Sequence, residues 1–319
     1  MSAPPLAQAR RSRAPSPGSP ARSRRGPDDI RVAAGGRGWT PWAFLLVPLA
    51  FLAAFTYLPV AAMLFYSFTD WDGFSRTQDF VGADNYVELL TRPQLFRVFA
   101  VSLFYLAGAF VQLVLALYFA TVLSFGTRLG NVFKGFLFFP YLINGVAIGF
   151  VFLYFFQPGG TLDTVLGALG VGPRLWLGDP DLVNTSLAGV SVWRFTGLTF
   201  VLFLGAIQSI PPHLYEAAEL DGASRWQQFR HIIVPGIKPI IGLSAILAVS
   251  GSLSVFEIPF IMTGGSNNSE TFVIQTIKLA FTFDKVGLAS AAAVVLLALV
   301  LLVTWLQRIL VPQERVEQS

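Results

Sequence analysis

Long apolar runs alternate with short polar breaks along most of this chain. Runs at about 43–68, 97–125, 132–156, 185–209, 239–262 and 286–310 carry very little charge. Crossing ~30 Å of hydrocarbon takes about 20 apolar residues in a helix, and each of these six runs reaches that length. Backbone N–H and C=O groups in lipid must find partners within the segment, which predicts helices rather than irregular chain.

One polar break has a regular pattern of its own. Pro211 to Pro239, PPHLYEAAELDGASRWQQFRHIIVPGIKP, reads as helix, turn, helix. Pro211 and Pro212 suit a helix start, where a missing N–H costs nothing. Leu214, Ala217, Ala218 and Asp221 then fall on one helical face. Gly222 supplies the left-handed residue that ends this helix. Ser224 with Gln227 three residues on is a capping box. It predicts a second helix that runs to about Val234 and stops at Pro235. Ala217 and Ala218 are small enough for the first helix to seat its backbone closely in a partner's groove. Glu216 and Glu219 offer carboxylates to a partner arginine, and Leu214, Leu220, Trp226 and Phe229 can pack the loop onto the spans or the partner. A hairpin lying flat on lipid headgroups wants a basic polar face, whereas the first helix has only His213 beside its two glutamates.

These residues resemble a known loop. Glu216-Ala217-Ala218, Gly222 four residues after the last Ala, and Ile232, Val234 and Pro235 are similar to the EAA loop of bacterial ABC importer permeases. Val234 stands where leucine is commoner. Asp70-Trp71-Asp72-Gly73, Phe80-Val81-Gly82 with Asn85-Tyr86, Trp193-Arg194, Gln208-Ser209-Ile210-Pro211 and Met262-Thr263-Gly264-Gly265 resemble the carbohydrate-uptake, maltose-type branch, and the likeness covers about 40–310. It implies an all-α membrane protein of the type I ABC importer permease fold, with six transmembrane helices and both termini cytoplasmic. It also implies that the first loop helix is the ATPase-coupling helix, with Glu216, Ala217, Ala218, Glu219, Asp221, Gly222 and Pro235 as the coupling residues. The implied partners are a second homologous permease, a cytosolic ATPase dimer that uses ATP and magnesium, an extracytoplasmic solute-binding lipoprotein and a carbohydrate. The implied location is the bacterial cytoplasmic membrane, multi-pass, with no nucleic acid involved.

Composition and charge add class and orientation. The 319 residues are 54% hydrophobic and 13% charged, about half the ~25% charge of a soluble domain. Cysteine is absent, so there is no disulfide framework, and the two histidines, His213 and His231, are too few for a histidine metal site. Arg10, Arg11, Arg13, Arg22, Arg24, Arg25, Arg31 and Arg37 precede the first run, in a stretch rich in Ala, Pro, Ser and Gly. Residues 1–40 therefore predict a disordered basic cytoplasmic tail. A nucleic-acid arm or a transit peptide is the other reading of such arginines. The first run is too long for a signal-peptide core and is expected to stay as an anchor. Cytoplasmic segments are richer in Lys and Arg. That rule puts the tail, Arg128, Lys134, Arg225, Arg230, Lys238, Arg308 and Arg315 inside. Arg76, Arg92, Arg97, Arg174, Lys278 and Lys285 then lie outside, and the tail decides the orientation. The expected organisation is the tail, a six-helix permease domain over 41–312 with a cytoplasmic coupling loop at 211–239, and a cytoplasmic tail at 313–319.

No G-x-x-x-x-G-K-[ST] loop, nucleophile elbow, paired-carboxylate cleft or metal-ligand cluster is present. The chain is read as a transport subunit, not an enzyme, that binds no cofactor itself. Polar groups at membrane depth mark a substrate pathway or bundle interior, and Asn144, Arg194, Ser252 and Glu257 are the candidates. An arginine at mid-span costs ~3 kcal/mol on insertion scales, so Arg194 is not expected to face lipid. It can reach Glu257 on the next helix, either as a structural pair or with one of the two contacting sugar. Gly145-x-x-x-Gly149 and Ser290 to Ala293 read as close helix packing. Tyr141, Phe256 and Phe260 can stack on a sugar ring or simply fill the core. The expected outer loops, 69–96, 157–184 and 263–285, carry Trp71, Trp176, Asp70, Asp72, Asp179, Asp181, Asn267 and Asn268. These suit either a docked sugar-binding protein or an interfacial belt. The expected function is an ATP-driven, binding-protein-dependent carbohydrate permease. A permease for another polar solute, or an ion-coupled secondary transporter using Arg194 and Glu257, stands as the alternative. A membrane enzyme lacks a convergent catalytic set.

Overall fold

The computed structural model describes residues 40–126 and 130–310. Apart from Thr40, the tails expected at 1–40 and 313–319 lie outside the described residues. The chain divides into two units, residues 1–56 and 57–319. Among the described residues the first holds helix α1 (Thr40–Leu52) and most of a π-helical turn, Ala53–Tyr57. Its apolar side chains Trp42, Phe44, Leu46 and Phe51 are exposed, which suits a segment whose solvent is lipid.

The second unit is helical throughout its described residues, apart from turns, loops and one isolated bridge between Thr69 and Phe80. It begins with α2 (Leu58–Tyr66), α3 (Asp84–Thr91), α4 (Pro93–Ser124), α5 (Gly130–Leu142), α6 (Gly145–Phe155) and α7 (Thr161–Gly167). It continues with α8 (Val183–Gln208), α9 (Pro212–Leu220), α10 (Arg225–Gln228), α11 (Val234–Gly236), α12 (Lys238–Leu253), α13 (Glu257–Thr263), α14 (Phe272–Phe281) and α15 (Val286–Leu310). Among the described residues, five stretches are long and apolar enough to cross a membrane, and α5 with α6 makes a sixth if that bent pair counts as one span.

Two expected rods are interrupted. The run at 132–156 is not one helix: α5 and α6 meet at a 98° bend. Pro140 lies inside α5 and takes away a helix donor. Asn144 then restarts the helix, its side chain accepting from Val146 N at 2.8 Å. The run at 239–262 is likewise divided, α12 ending at Leu253 and α13 starting at Glu257. The polar segments expected to lie outside also carry helices that the apolar pattern did not announce, α3, α7 and α14.

α4 and α8, two of the long unbroken helices among the described residues, pack side by side over two separate cores. One contains Val101 and Tyr105 of α4, Ile148 of α6, Val183, Leu187 and Val190 of α8, and Ile258 and Met262 of α13. The other contains Ala116, Ala120 and Leu123 of α4, Phe200, Phe203 and Ile207 of α8, and Ile233 and Ile237 of the second half of the 211–239 segment. A third core joins Leu89, Val98, Phe272 and Leu279 to Leu288, Ala289, Ala291 and Ala292 of α15. Small residues permit the closest approaches. A Cβ on Gly149 would strike Ile261 Cγ2 at 2.7 Å, and one on Gly197 would strike the α5 backbone, with Phe138 Cα at 2.9 Å. The Gly145-x-x-x-Gly149 face is therefore a helix-packing face against α13.

Candidate functional site

Between the first two cores lies a polar layer. Gln112 Nε2 of α4 donates to Thr199 Oγ1 of α8 at 2.8 Å. Arg194 Nη1 donates to Glu257 Oε2 at 2.7 Å, and the guanidinium also sits over the Phe195 ring, 5.1 Å from its centroid. Arg194 is tucked in, its side chain 13% exposed, whereas Glu257 is 47% exposed. Gly145 is the reason the pair fits: a Cβ there would collide with Glu257 Oε2 and Arg194 Nη1.

A cavity of ≈ 480 Å³ opens in this layer, walled by α4, α8, α12 and the start of α13. Of the four intramembrane polar residues singled out from the sequence, Arg194, Ser252 and Glu257 line it. Asn144 does not; its side chain is spent capping α6. Ser252 Oγ is turned to its own helix, donating to Val249 O at 2.7 Å. The cavity also has polar walls that the sequence reading missed: Tyr105, Gln112, Ser191, Thr199 and Ser244. Tyr105 and Ser244 are buried, and their hydroxyls have no partner among the described residues. Gln112, an amide in the middle of an apolar run, carried a readable signal; Tyr105 and the hydroxyls did not. Phe256 lines the cavity and stacks on Phe260 at 4.8 Å. Tyr141 packs instead against Phe138 and Phe195.

The 211–239 segment forms a bent pair of short helices. α9 ends in a left-handed cap: Gly222 has φ +75°, Ala223 N donates to Ala218 O at 2.9 Å and Gly222 N to Glu219 O at 3.1 Å. The capping box is complete, with Gln227 N donating to Ser224 Oγ at 3.4 Å and Ser224 N to Gln227 Oε1 at 2.7 Å. Pro235 does not stop the second arm at Val234. α10 passes through a π turn (Phe229–Ile233) into α11, where Pro235 lies in the first turn and needs no N–H partner.

The two arms differ in burial. No residue of α9 is buried; Glu216, Ala217 and Glu219 face outward, and Leu220 is 90% exposed. Tyr215, half-buried against the α4–α8 core, is its foothold, and burial pushes that hydroxyl's pKa up. The second arm is fused to the bundle: Ile233 and Ile237 are buried, and Phe229 and Ile232 pack beside them. Arg225 sits over the Phe125 ring at the end of α4, 4.0 Å from its centroid.

At the opposite end of α8 the two indoles are held by hydrogen bonds. Trp71 Nε1 donates to Ser75 O at 3.0 Å, and its ring packs on Tyr66 at 4.4 Å. Trp176 Nε1 donates to Asp163 Oδ1 at 2.8 Å. Donation from Gly159 N, Trp176 and Arg174 N holds the Asp163 carboxyl below its ordinary range. The Ser75 hydroxyl and the Ser75 and Phe74 amides lower Asp72 to about 2. A notch of ≈ 350 Å³ lies beside Trp176, Gln157 and Asn267. Among the described residues there is no group of three or more His, Cys, Asp or Glu side chains that could hold a metal.

A helical membrane bundle with broken spans, a polar mid-layer cavity and a projecting elbow is the architecture of a transport permease. Residues 112–316, well over half of the chain, match the binding-protein-dependent transport system inner membrane component family, and the chain belongs to that family. It is 35% identical to the probable ABC transporter permease protein YurN of Bacillus subtilis (strain 168), over 84% of this chain and 94% of that one. It is 31% identical to the multiple sugar-binding transport system permease protein MsmF of Streptococcus mutans, over 83% and 93%. Its fold matches a chain of a bacterial alginate ABC transporter solved in complex with an alginate pentasaccharide-bound periplasmic protein. That match has a TM-score of 0.77 at 20% identity and covers 85% of this chain and 93% of that one. Members of this family are transport subunits rather than enzymes.

Proposed function

We propose that this chain is one of two permeases in an ATP-driven carbohydrate importer of the bacterial cytoplasmic membrane, with six spans and both ends inside. The observation that carries the coupling role is the asymmetry of the elbow. Its second arm is built into the α4–α8 core, while α9 stands out with no buried residue and presents Glu216, Ala217 and Glu219. A helix so held suits a groove on a cytosolic ATPase. Asp221 and Gly222 set its angle, and Pro235 begins the last turn of the arm that roots it. ATP and magnesium belong to that partner.

The carbohydrate reading draws on the relatives named for sugars and alginate and on the hydroxyl- and amide-bearing walls of the ≈ 480 Å³ cavity. A loaded solute-binding lipoprotein docks on the outer segments. ATP closes the ATPase dimer, the elbows move, and the two permeases rock from inward-open to outward-open about the mid-membrane layer. The solute enters and hydrolysis resets the cycle.

The experiment is co-purification of the ATPase with Gly222→Leu and Glu216→Lys variants. Leucine at φ +75° is strained by ~1–2 kcal/mol and turns α9 away. Both variants should insert normally and lose ATPase recovery and sugar uptake. Unchanged recovery and uptake would refute the coupling role.

A further inference from the structure

The cavity is electrically lopsided. Among the described residues, Arg194 and Glu257 are its only fully charged lining residues. Arg194 is shielded: its side chain is 13% exposed, its Nη1 bonds Glu257, its plane covers Phe195, and its Nε is buried without a partner among the described residues. Glu257 uses Oε2 for that bond, no described residue donates to Oε1, and the side chain stays 47% exposed. What the cavity presents to a solute is therefore a carboxylate oxygen backed by a shielded guanidinium. Such an oxygen only accepts; it welcomes O–H and N–H donors and repels another carboxylate.

Resting on the permease reading above, we propose that Glu257 is a specificity-determining residue: its free oxygen takes a hydroxyl or ammonium of the passing solute and excludes acidic saccharides. Arg194 is the positioning residue that holds the carboxylate at the mouth of the cavity. Gly145 leaves room for both.

The chain has no cysteine, so a single introduced thiol reports cleanly. Ser254 lines the same cavity and is exposed. The test uses the Ser254→Cys full-length chain in its purified complex and follows modification of this chain by mass. The reagents are a trimethylammonium-bearing and a sulfonate-bearing methanethiosulfonate, each rate being divided by its rate with a free thiol. With Glu257 present the cation should react about tenfold faster than the anion. Glu257→Gln, which leaves Arg194 without its counter-charge, should bring the ratio to about one or below, and Glu257→Asp should keep it above one. If Glu257→Gln does not fold, molar salt added to the protein retaining Glu257 should compress the same ratio severalfold by screening. A ratio indifferent to both Glu257→Gln and salt, or a thiol that neither reagent reaches, overturns the proposal. The measurement needs no ATP and no uptake. Failure of the importer reading would show separately, as saccharide uptake that does not depend on ATP.

Discussion

Adding one methyl group at Gly145 tests how the mid-membrane layer is held together. A Cβ at that position would run into Glu257 Oε2 and Arg194 Nη1, with Glu257 Cδ at 2.6 Å. Both obstacles are ends of flexible side chains, so the backbone can stay while the ion pair parts. Breaking a fully buried pair costs ~3–5 kcal/mol, and an exposed one ~0.2–1. With Arg194 13% and Glu257 47% exposed, Gly145→Ala should lose about 1–3 kcal/mol. Any gain in helix propensity is well under the ~1 kcal/mol of a mid-helix site, because Gly145 opens α6. The assay is a double-mutant cycle with Glu257→Ala, read by heat challenge and size-exclusion of the detergent-purified complex. In the Glu257→Ala background the methyl meets no carboxylate, so Gly145→Ala should cost at least ~1 kcal/mol less there. Costs that add within ~0.5 kcal/mol would mean that Gly145 and Glu257 are not coupled, and the account of the layer would fail.

Gly197→Ala should also destabilise, by about 1–3 kcal/mol, because its methyl meets the fixed α5 backbone at Leu137 and Phe138; a thermal shift no larger than that of a surface Gly→Ala control would refute this. Tyr105→Phe removes a buried hydroxyl without a partner and should leave the melting temperature unchanged or raise it; a clear drop would mean that the hydroxyl is satisfied. Ser224→Ala should loosen the second arm of the elbow by ~1 kcal/mol, seen as faster proteolytic nicking near Gly222. Asp163 is held below its ordinary 3.8 by hydrogen bonds donated to its charged form, so its stabilising share is present above that value and is lost as pH falls through the depressed one. Trp176 emission should shift on acidification below 3.8, and Asp163→Asn should abolish that acid step.

The legible parts of the chain were the local ones. Apolar length marked α4, α8 and α15, and the Gly222 and Ser224–Gln227 signals described a turn whose geometry depends on neighbouring residues alone. The bend at Ile143–Asn144 was missed because apolar side chains continue straight through it. Its signals were Pro140 and Asn144, a missing donor followed by a cap, and neither registers in a hydropathy count. Pro235 was misread for the converse reason: a proline at the start of a helical segment looks, in sequence, like one at its end. Arg194 and Glu257 stood out as charges among apolar residues. Their meeting beside Gly145 depends on three helices whose relative rotation no single run encodes. Tyr105 and Ser244 were silent, since an aromatic or a hydroxyl in a span becomes notable only once its surroundings leave it without a partner.

The gaps between α5 and α6 and between α12 and α13 flank the same layer that α4 and α8 cross without interruption. On the coupling reading proposed above, a load applied at the elbow enters the bundle through α4 and α8 and finds its nearest helix breaks at those gaps. That reading concentrates the motion into a few peptide units beside the cavity. In the proposed cycle, a small displacement at the elbow is thus turned into opening or shutting of the passage beside the Arg194–Glu257 pair.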